Sequence, residues 1–104
     1  MPYQLLITAT FEEKLHKLKL ISDRVEKIKK QLIESPYTGK PLGYPFFREK
    51  KINGLRLYFL IYEDYKIVYI ITLSNKKEQQ ATINTIKMFL EKYKQHVEEF
   101  ISRV

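Results

Sequence analysis

The 104-residue sequence predicts an α+β fold: a strand, two helices, an antiparallel meander of three strands, and a long closing helix. Three observations carry that expectation. Apolar residues recur at helical offsets twice between residues 11 and 34. Two nearly continuous apolar runs, 55–62 and 66–73, are separated by turn residues. A three-and-four spacing of apolar residues then runs from Ile83 to the C-terminus. The length suits one domain over 1–104, with a β-α-α-β-β-β core at 1–78 and a helix at 79–104.

Residues 3–8 (YQLLIT) are apolar and partly β-branched, as in a strand. Thr10 with Glu13 three positions on has the form of a capping box, and Phe11, Leu15 and Leu18 line one face of a helix over about 11–20. Asp23 with Glu26 repeats the start signal. Val25, Ile28, Leu32 and Ile33 supply the apolar face of a second, antiparallel helix that Pro36 limits. Residues 35–46 hold two Gly and three Pro, so an irregular link is expected there. Strands follow at 47–52, 55–62 and 66–73. Asn53-Gly54 makes the first turn, because both residues tolerate positive φ, and Glu63, Asp64 and Tyr65 make the second. The runs at 55–62 and 66–73 read as central strands covered on both sides. Ile83, Ile86, Leu90, Tyr93, Val97, Phe100 or Ile101, and Val104 mark a helix over about 80–102, roughly 33 Å long. A core this small has difficulty covering such a helix. Its distal half is therefore expected to wrap across the sheet or to pack against a second copy in a homodimer.

Composition narrows the function. With 19 Lys and Arg against 12 Asp and Glu, the formal net charge is +7, which favours acidic partners, nucleic acid foremost. The excess is concentrated at 40–56, where five basic residues face one acidic. No cysteine is present, which removes disulfides, thiolate metal sites and cysteine nucleophiles. His16 and His96 lie far apart and match no metal motif, so no metal or cofactor is expected. The N-terminal MPYQLLITATF lacks a basic and apolar leader pattern, and the longest nearly apolar run, Leu57 to Tyr62, is far too short to span a membrane. A cytoplasmic location is expected.

The residues with chemical potential are basic. Arg48, Lys50, Lys51 and Arg56 lie on the strands around Asn53-Gly54, and Lys76 and Lys77 follow the last strand. Alternation places Arg48 and Lys50 on one face and Lys51 on the other. Arg56 stands near the start of a strongly apolar strand, where a charge needs either a partner, Glu49 or Glu63, or a functional reason. Pairing across the turn makes Lys50 or Lys51 its neighbour, and two or three such cations form a phosphate clamp. Tyr58, Tyr62 and Tyr69 read as packing residues. Tyr44, in the Gly- and Pro-rich link, is placed to stack on a base. The adjacent carboxylates Glu12-Glu13, Glu63-Asp64 and Glu98-Glu99 point in different directions and make no acid/base pair.

The stretches KPLGYP at 40–45, KINGLRLYF at 51–59 and KIVYIITLS at 66–74, preceded by a helix pair ending in LIESPYTGKPL, resemble the RelE/ParE toxin superfamily. The Gly54-Leu55-Arg56 element is the most recognisable part, and the resemblance covers about residues 3–78. It implies the toxin of a toxin–antitoxin pair, with an antitoxin protein as partner. RelE-like members cut mRNA in the ribosomal A site by attack of a ribose 2′-OH on the adjacent phosphate, and ParE-like members inhibit gyrase. In the RNA-cleaving branch the implied catalytic positions are Arg56, Lys50, Lys51 and Lys76, or Lys77 with a one-residue shift; Arg48, Lys77 and Tyr44 are expected, from their charge and placement, to bind RNA. One departure stands out. Where many members carry a Tyr or His after the fourth strand, this sequence has Thr82, and no Tyr or His follows until Tyr93. The expected function is a ribosome-dependent endoribonuclease or a descendant that has lost activity. The alternatives are a non-catalytic module that binds an antitoxin-like partner and a gyrase-directed toxin.

Overall fold

The computed structural model describes residues 2–18 and 22–103. Strand β1 (Gln4–Ile7) leads into helices α1 (Ala9–Lys17) and α2 (Ser22–Glu34). Strands β2 (Lys40–Tyr44), β3 (Phe47–Ile52), β4 (Leu55–Tyr62) and β5 (Ile67–Asn75) follow, then helices α3 (Gln79–Met88) and α4 (Leu90–Ser102). The five strands form one sheet in the order β1-β5-β4-β3-β2. β1 runs parallel to β5, and the remaining pairs are antiparallel. Residues 19 and 20 of the expected first helix, and Val104 of the last stripe, lie outside the described residues.

β4 and β5 are central, and their interior residues are buried on both faces. On one face Leu57, Phe59 and Ile61 of β4 join Val68, Ile70 and Leu73 of β5 beneath Phe11, Val25 and Leu32 of α1 and α2. On the other, Tyr58 and Leu60 join Phe47, Ile67, Tyr69 and Ile71 beneath Ile83, Ile86 and Val97 of α3 and α4. Ile70 and Leu73 share a face although they are three positions apart. A bulge resets the alternation: Tyr58 pairs with Thr72 while the next residue, Phe59, pairs with Ile70. Asn53 (φ 48°) and Gly54 (φ 79°) both adopt positive φ, as a two-residue hairpin turn requires.

Three local expectations are corrected. Thr8, rather than Thr10, caps α1: its Oγ1 accepts from the Phe11 amide at 3.0 Å and donates to the Ile71 carbonyl at 2.6 Å. That second bond ties the cap to β5, so β1 stops at Ile7 and Thr10 falls within the first turn. Second, the link at 40–44 forms a fifth strand despite Pro41 and Gly43. It lies at the sheet edge, where a missing donor costs nothing on the open side, and its register slips between Pro41 and Tyr44. Third, the C-terminal helix parts at Phe89 (φ −110°, ψ 18°). The turn lets both halves lie on the chain's own sheet, with Ile83, Ile86 and Val97 buried there and Leu90, Tyr93, Phe100 and Ile101 packed beside them. Of the two arrangements expected for that stripe, its described residues take the first, across the chain's own sheet, while Met88 and Phe89 are exposed.

Glu63, at the turn after β4, gathers two distant segments and a neighbour in its own turn. Its Oε1 accepts from Tyr3 Oη at 2.6 Å and Tyr37 Oη at 2.8 Å, and Lys66 Nζ bonds its other oxygen. These bonds, that of Lys66 foremost, pull its carboxyl from the ordinary 4.5 to about 2. A depressed carboxylate contributes stability that is fully present above its unfolded value and is lost as pH falls through the folded one. The thermal unfolding midpoint followed by circular dichroism should therefore fall between pH 4.5 and about 2 slightly less in Glu63→Gln than in the parent. The group is exposed and its contribution is small. In the core, Leu60→Ala should cost about 2–5 kcal/mol in urea unfolding. Met88→Ala, at a residue 78% exposed, should stay within about 0.5 kcal/mol of the parent.

Candidate functional site

The strand register decides which cations meet. Lys51 of β3 lies opposite Arg56 of β4, and Arg56 lies opposite Ser74 of β5. These residues share the α3/α4 face at the end of the sheet where β3 and β5 finish and β4 begins. Lys76 and Lys77 follow β5 at the same end, and Lys51, Lys76 and Lys77 are exposed. The other expected residues are elsewhere. Lys50 pairs with Leu57 on the α1/α2 face, where its Nζ donates to Thr38 Oγ1 at 3.2 Å and burial lowers its pKa. Arg48 is on that face too. Its Nε donates to the Pro45 carbonyl at 2.8 Å, and its guanidinium lies 5.5 Å from the Tyr37 ring centroid. Tyr44 is paired with Phe47, at the far end of β3 from Lys51. It is exposed and stacks on Phe46 at 4.9 Å, with Lys87 Nζ 5.9 Å from its ring.

Arg56 itself is only 8% exposed. Its Nε stands 3.4 Å from Oε2 of Glu49, which is 2% exposed, yet makes no hydrogen bond. Glu49 is further held by Gln79 Nε2, at 2.8 and 3.1 Å from its two oxygens. Of the two partners open to Arg56 in the sequence, Glu49 is the one it meets, because Glu63 lies beyond the opposite end of β4. Behind the pair, Tyr58 is buried with its Oη 2.7 Å from Ser74 Oγ. Burial raises the Tyr58 pKa, so it stays a neutral phenol.

α3 separates this pair from a groove of about 620 Å³ on its other side, lined among others by Lys14, Tyr69, Thr82, Tyr93 and His96. Lys14 Nζ donates to Thr72 Oγ1 and to the Leu73 carbonyl, both at 2.9 Å. These bonds satisfy part of the β5 edge that β1 is too short to cover. Tyr69 Oη lies 3.1 Å from His96 Nδ1, and Tyr93 packs edge-on against both rings. Sequence reasoning passed over Lys14, and it saw no link between His96 and Thr82. The turn at Phe89 is what returns His96 and Tyr93 to the groove that Thr82 lines, and no Gly or Pro announces it. Among the described residues, no group of three or more His, Asp or Glu side chains is placed to hold a metal ion, and no helix is long and apolar enough to cross a membrane.

The class this architecture defines is the RelE-like toxin fold of toxin–antitoxin systems. Among solved structures, the chain is similar to a double arginine-to-alanine mutant of the E. coli toxin RelE in the free state. The identity is 19% over 82% of this chain and 93% of that one, with a TM-score of 0.68. It is similar to the same mutant in complex with an antitoxin RelBc peptide, at 20% identity over 82% and 95% of the two chains and a TM-score of 0.66. A chain of the Mycobacterium tuberculosis toxin–antitoxin complex RelBE2 is 25% identical over 73% of this chain and 100% of that one, with a TM-score of 0.61. No protein-family model matches the sequence, and no curated protein matches it.

Chemically, the site combines three exposed lysines able to meet phosphates with one arginine already occupied by a carboxylate. Removing that carboxylate without replacing its hydrogen-bonding capacity strands a buried guanidinium. Glu49→Ala should therefore cost about 3–5 kcal/mol in chemical unfolding. Lys51→Ala and Lys76→Ala, at exposed positions, should change stability by less than about 0.5 kcal/mol.

Proposed function

We propose that this chain is the toxin of a toxin–antitoxin pair and acts on ribosome-bound mRNA as a metal-independent endoribonuclease. The observation that carries the reading is the pairing of Lys51 with Arg56, beside Lys76 and Lys77, at one end of the sheet in a RelE-like fold. Cations in such a cluster bind the RNA backbone and stabilise the negative charge on the non-bridging phosphoryl oxygens as the ribose 2′-oxygen, its proton lost to water, bonds to phosphorus and the P–O5′ bond breaks to leave a 2′,3′-cyclic phosphate. One of the lysines would then protonate the departing 5′-oxygen. The partner follows from the same likeness: the E. coli and M. tuberculosis toxins are seen in complex with antitoxins, and we infer a similar partner for this chain.

A second reading has its own support. Glu49 lies on Arg56, and the position where the resemblance leads one to expect a Tyr or His is Thr82. Both favour a descendant that binds its partner and no longer cleaves.

Purified protein added to translating ribosomes, with cuts mapped by primer extension, separates the two. Cuts within the A-site codon that disappear with Arg56→Ala, at unchanged fold by circular dichroism, are the expected result. An uncut message beside an active RelE control would overturn the cleavage reading in favour of the binding module. Inhibition of gyrase supercoiling by the same preparation would redirect it to the gyrase branch.

A further inference from the structure

The pairing of Glu49 with Arg56 has an unusual form. The Arg56 side chain is nine-tenths buried, but its Nε has no hydrogen bond, and the nearest carboxylate oxygen stands at 3.4 Å. Glu49 directs its hydrogen bonding elsewhere, to Gln79 at 2.8 and 3.1 Å. Carboxylate and phosphate oxygens compete for the same guanidinium donors. Glu49 therefore holds the place that an anionic ligand of Arg56 would take, without saturating it.

The cover over this place is one helical turn. Gln79 is the first residue of α3, and Glu78 before it caps the helix with no side-chain bond. The link to β5 is held by the bond from the Glu78 amide to Asn75 Oδ1 at 2.9 Å. Open space lies on both sides of α3: the 620 Å³ groove along Thr82 and Thr85, and a smaller one of about 290 Å³ along Gln79, Gln80 and Ile83. The apolar anchors of α3, Ile83 and Ile86, lie one and two turns further along. Its first turn is thus attached to the sheet face mainly through Gln79 and Glu49.

We propose that Glu49 and Gln79 form a latch on Arg56. In the closed form the Glu49 carboxylate stands in for a phosphodiester. When the first turn of α3 lifts, Arg56 is uncovered, and a backbone phosphate of single-stranded RNA, held also by Lys51, displaces the Glu49 carboxylate from it. The inference rests on the reading of Arg56 as an anion-binding residue and adds how its availability is controlled. It needs no cleavage, so it can hold in a binding module as well as in an active toxin.

The test uses the full chain and a fluorescein-labelled single-stranded RNA oligonucleotide, with anisotropy read at one fixed salt concentration. With the closed form favoured about nine to one, Gln79→Ala should tighten RNA binding by about tenfold, because affinity scales with the competent fraction. Glu49→Gln should tighten it at least as much, and both gains should vanish when Arg56→Ala is added. Gln79→Ala changes no charge, which separates release of the latch from a general electrostatic gain. Glu91→Gln, an exposed loss of the same charge elsewhere, gives the size of that general gain. Should Glu49→Gln fail to fold, Gln79→Ala decides alone. Unchanged affinity in Gln79→Ala, or a gain that survives without Arg56, overturns the latch. Ribosomal cleavage is scored separately: tighter binding without cuts keeps the latch and removes the cleavage reading, and cuts without any gain in binding do the reverse.

Discussion

Strands β4 and β5 carry apolar side chains on both faces, and a two-sided apolar ribbon is stable only between two covers. At about 25 cal/mol per Å² of apolar surface removed from water, leaving either face open forfeits much of what holds a domain of this size together. The N-terminal helix pair covers one face through Phe11, Val25 and Leu32. The other is covered from the C-terminal side, because among the described residues between β1 and β5 the only further helix is the exposed single 3-10 turn Glu63–Tyr65. That requirement shapes the last thirty residues. A straight helix of their length would overrun the sheet, and the turn at Phe89 brings Val97 back onto the core that Ile83 and Ile86 have begun.

The elements legible in the sequence are those whose signals are local. The Asn53-Gly54 turn sets the β3/β4 register, and that register puts Lys51 opposite Arg56. The nearly continuous apolar runs of β4 and β5 announce their central place. What escaped depends on tertiary position. Pro41 argues against a strand unless it is at an edge, and whether it is at an edge cannot be read from five residues. Thr10 has the form of a cap in the sequence, and the bond from Thr8 Oγ1 to the Ile71 carbonyl, sixty-three positions away, is what moves the cap to Thr8. The turn at Phe89 has no breaker residue, so periodicity runs straight through it.

The site shows the same division. That a guanidinium in the run LRLYFLIY needs a partner follows from desolvation, and Glu49 is one of two candidates the sequence offers. The face assignments of Arg48, Lys50 and Lys51 follow from the pleat alone. The role of Gln79 does not, because it requires knowing that the first turn of α3 crosses above β3. Nor does the meeting of Tyr69 with His96, twenty-seven residues apart, which depends on the turn at Phe89.

The cost of the buried pair bears on what it is for. Taking a carboxylate and a guanidinium out of water is expensive, and a contact of 3.4 Å without a hydrogen bond returns little of it. Apolar side chains at 49 and 56 would pack between Tyr58 and α3 at no such cost, so stability gives no reason for charge there. Conformational specificity is a weak reason as well, since the strand register is already set by the Asn53-Gly54 turn and by alternating burial. A loosely paired arginine, kept dry by one helical turn and flanked by the exposed Lys51, is better explained by what it binds when that turn moves. In that view the carboxylate is the least costly way to keep the guanidinium in the fold until an anion arrives, because an unpaired arginine would destabilise the sheet and a tightly paired one would not let go.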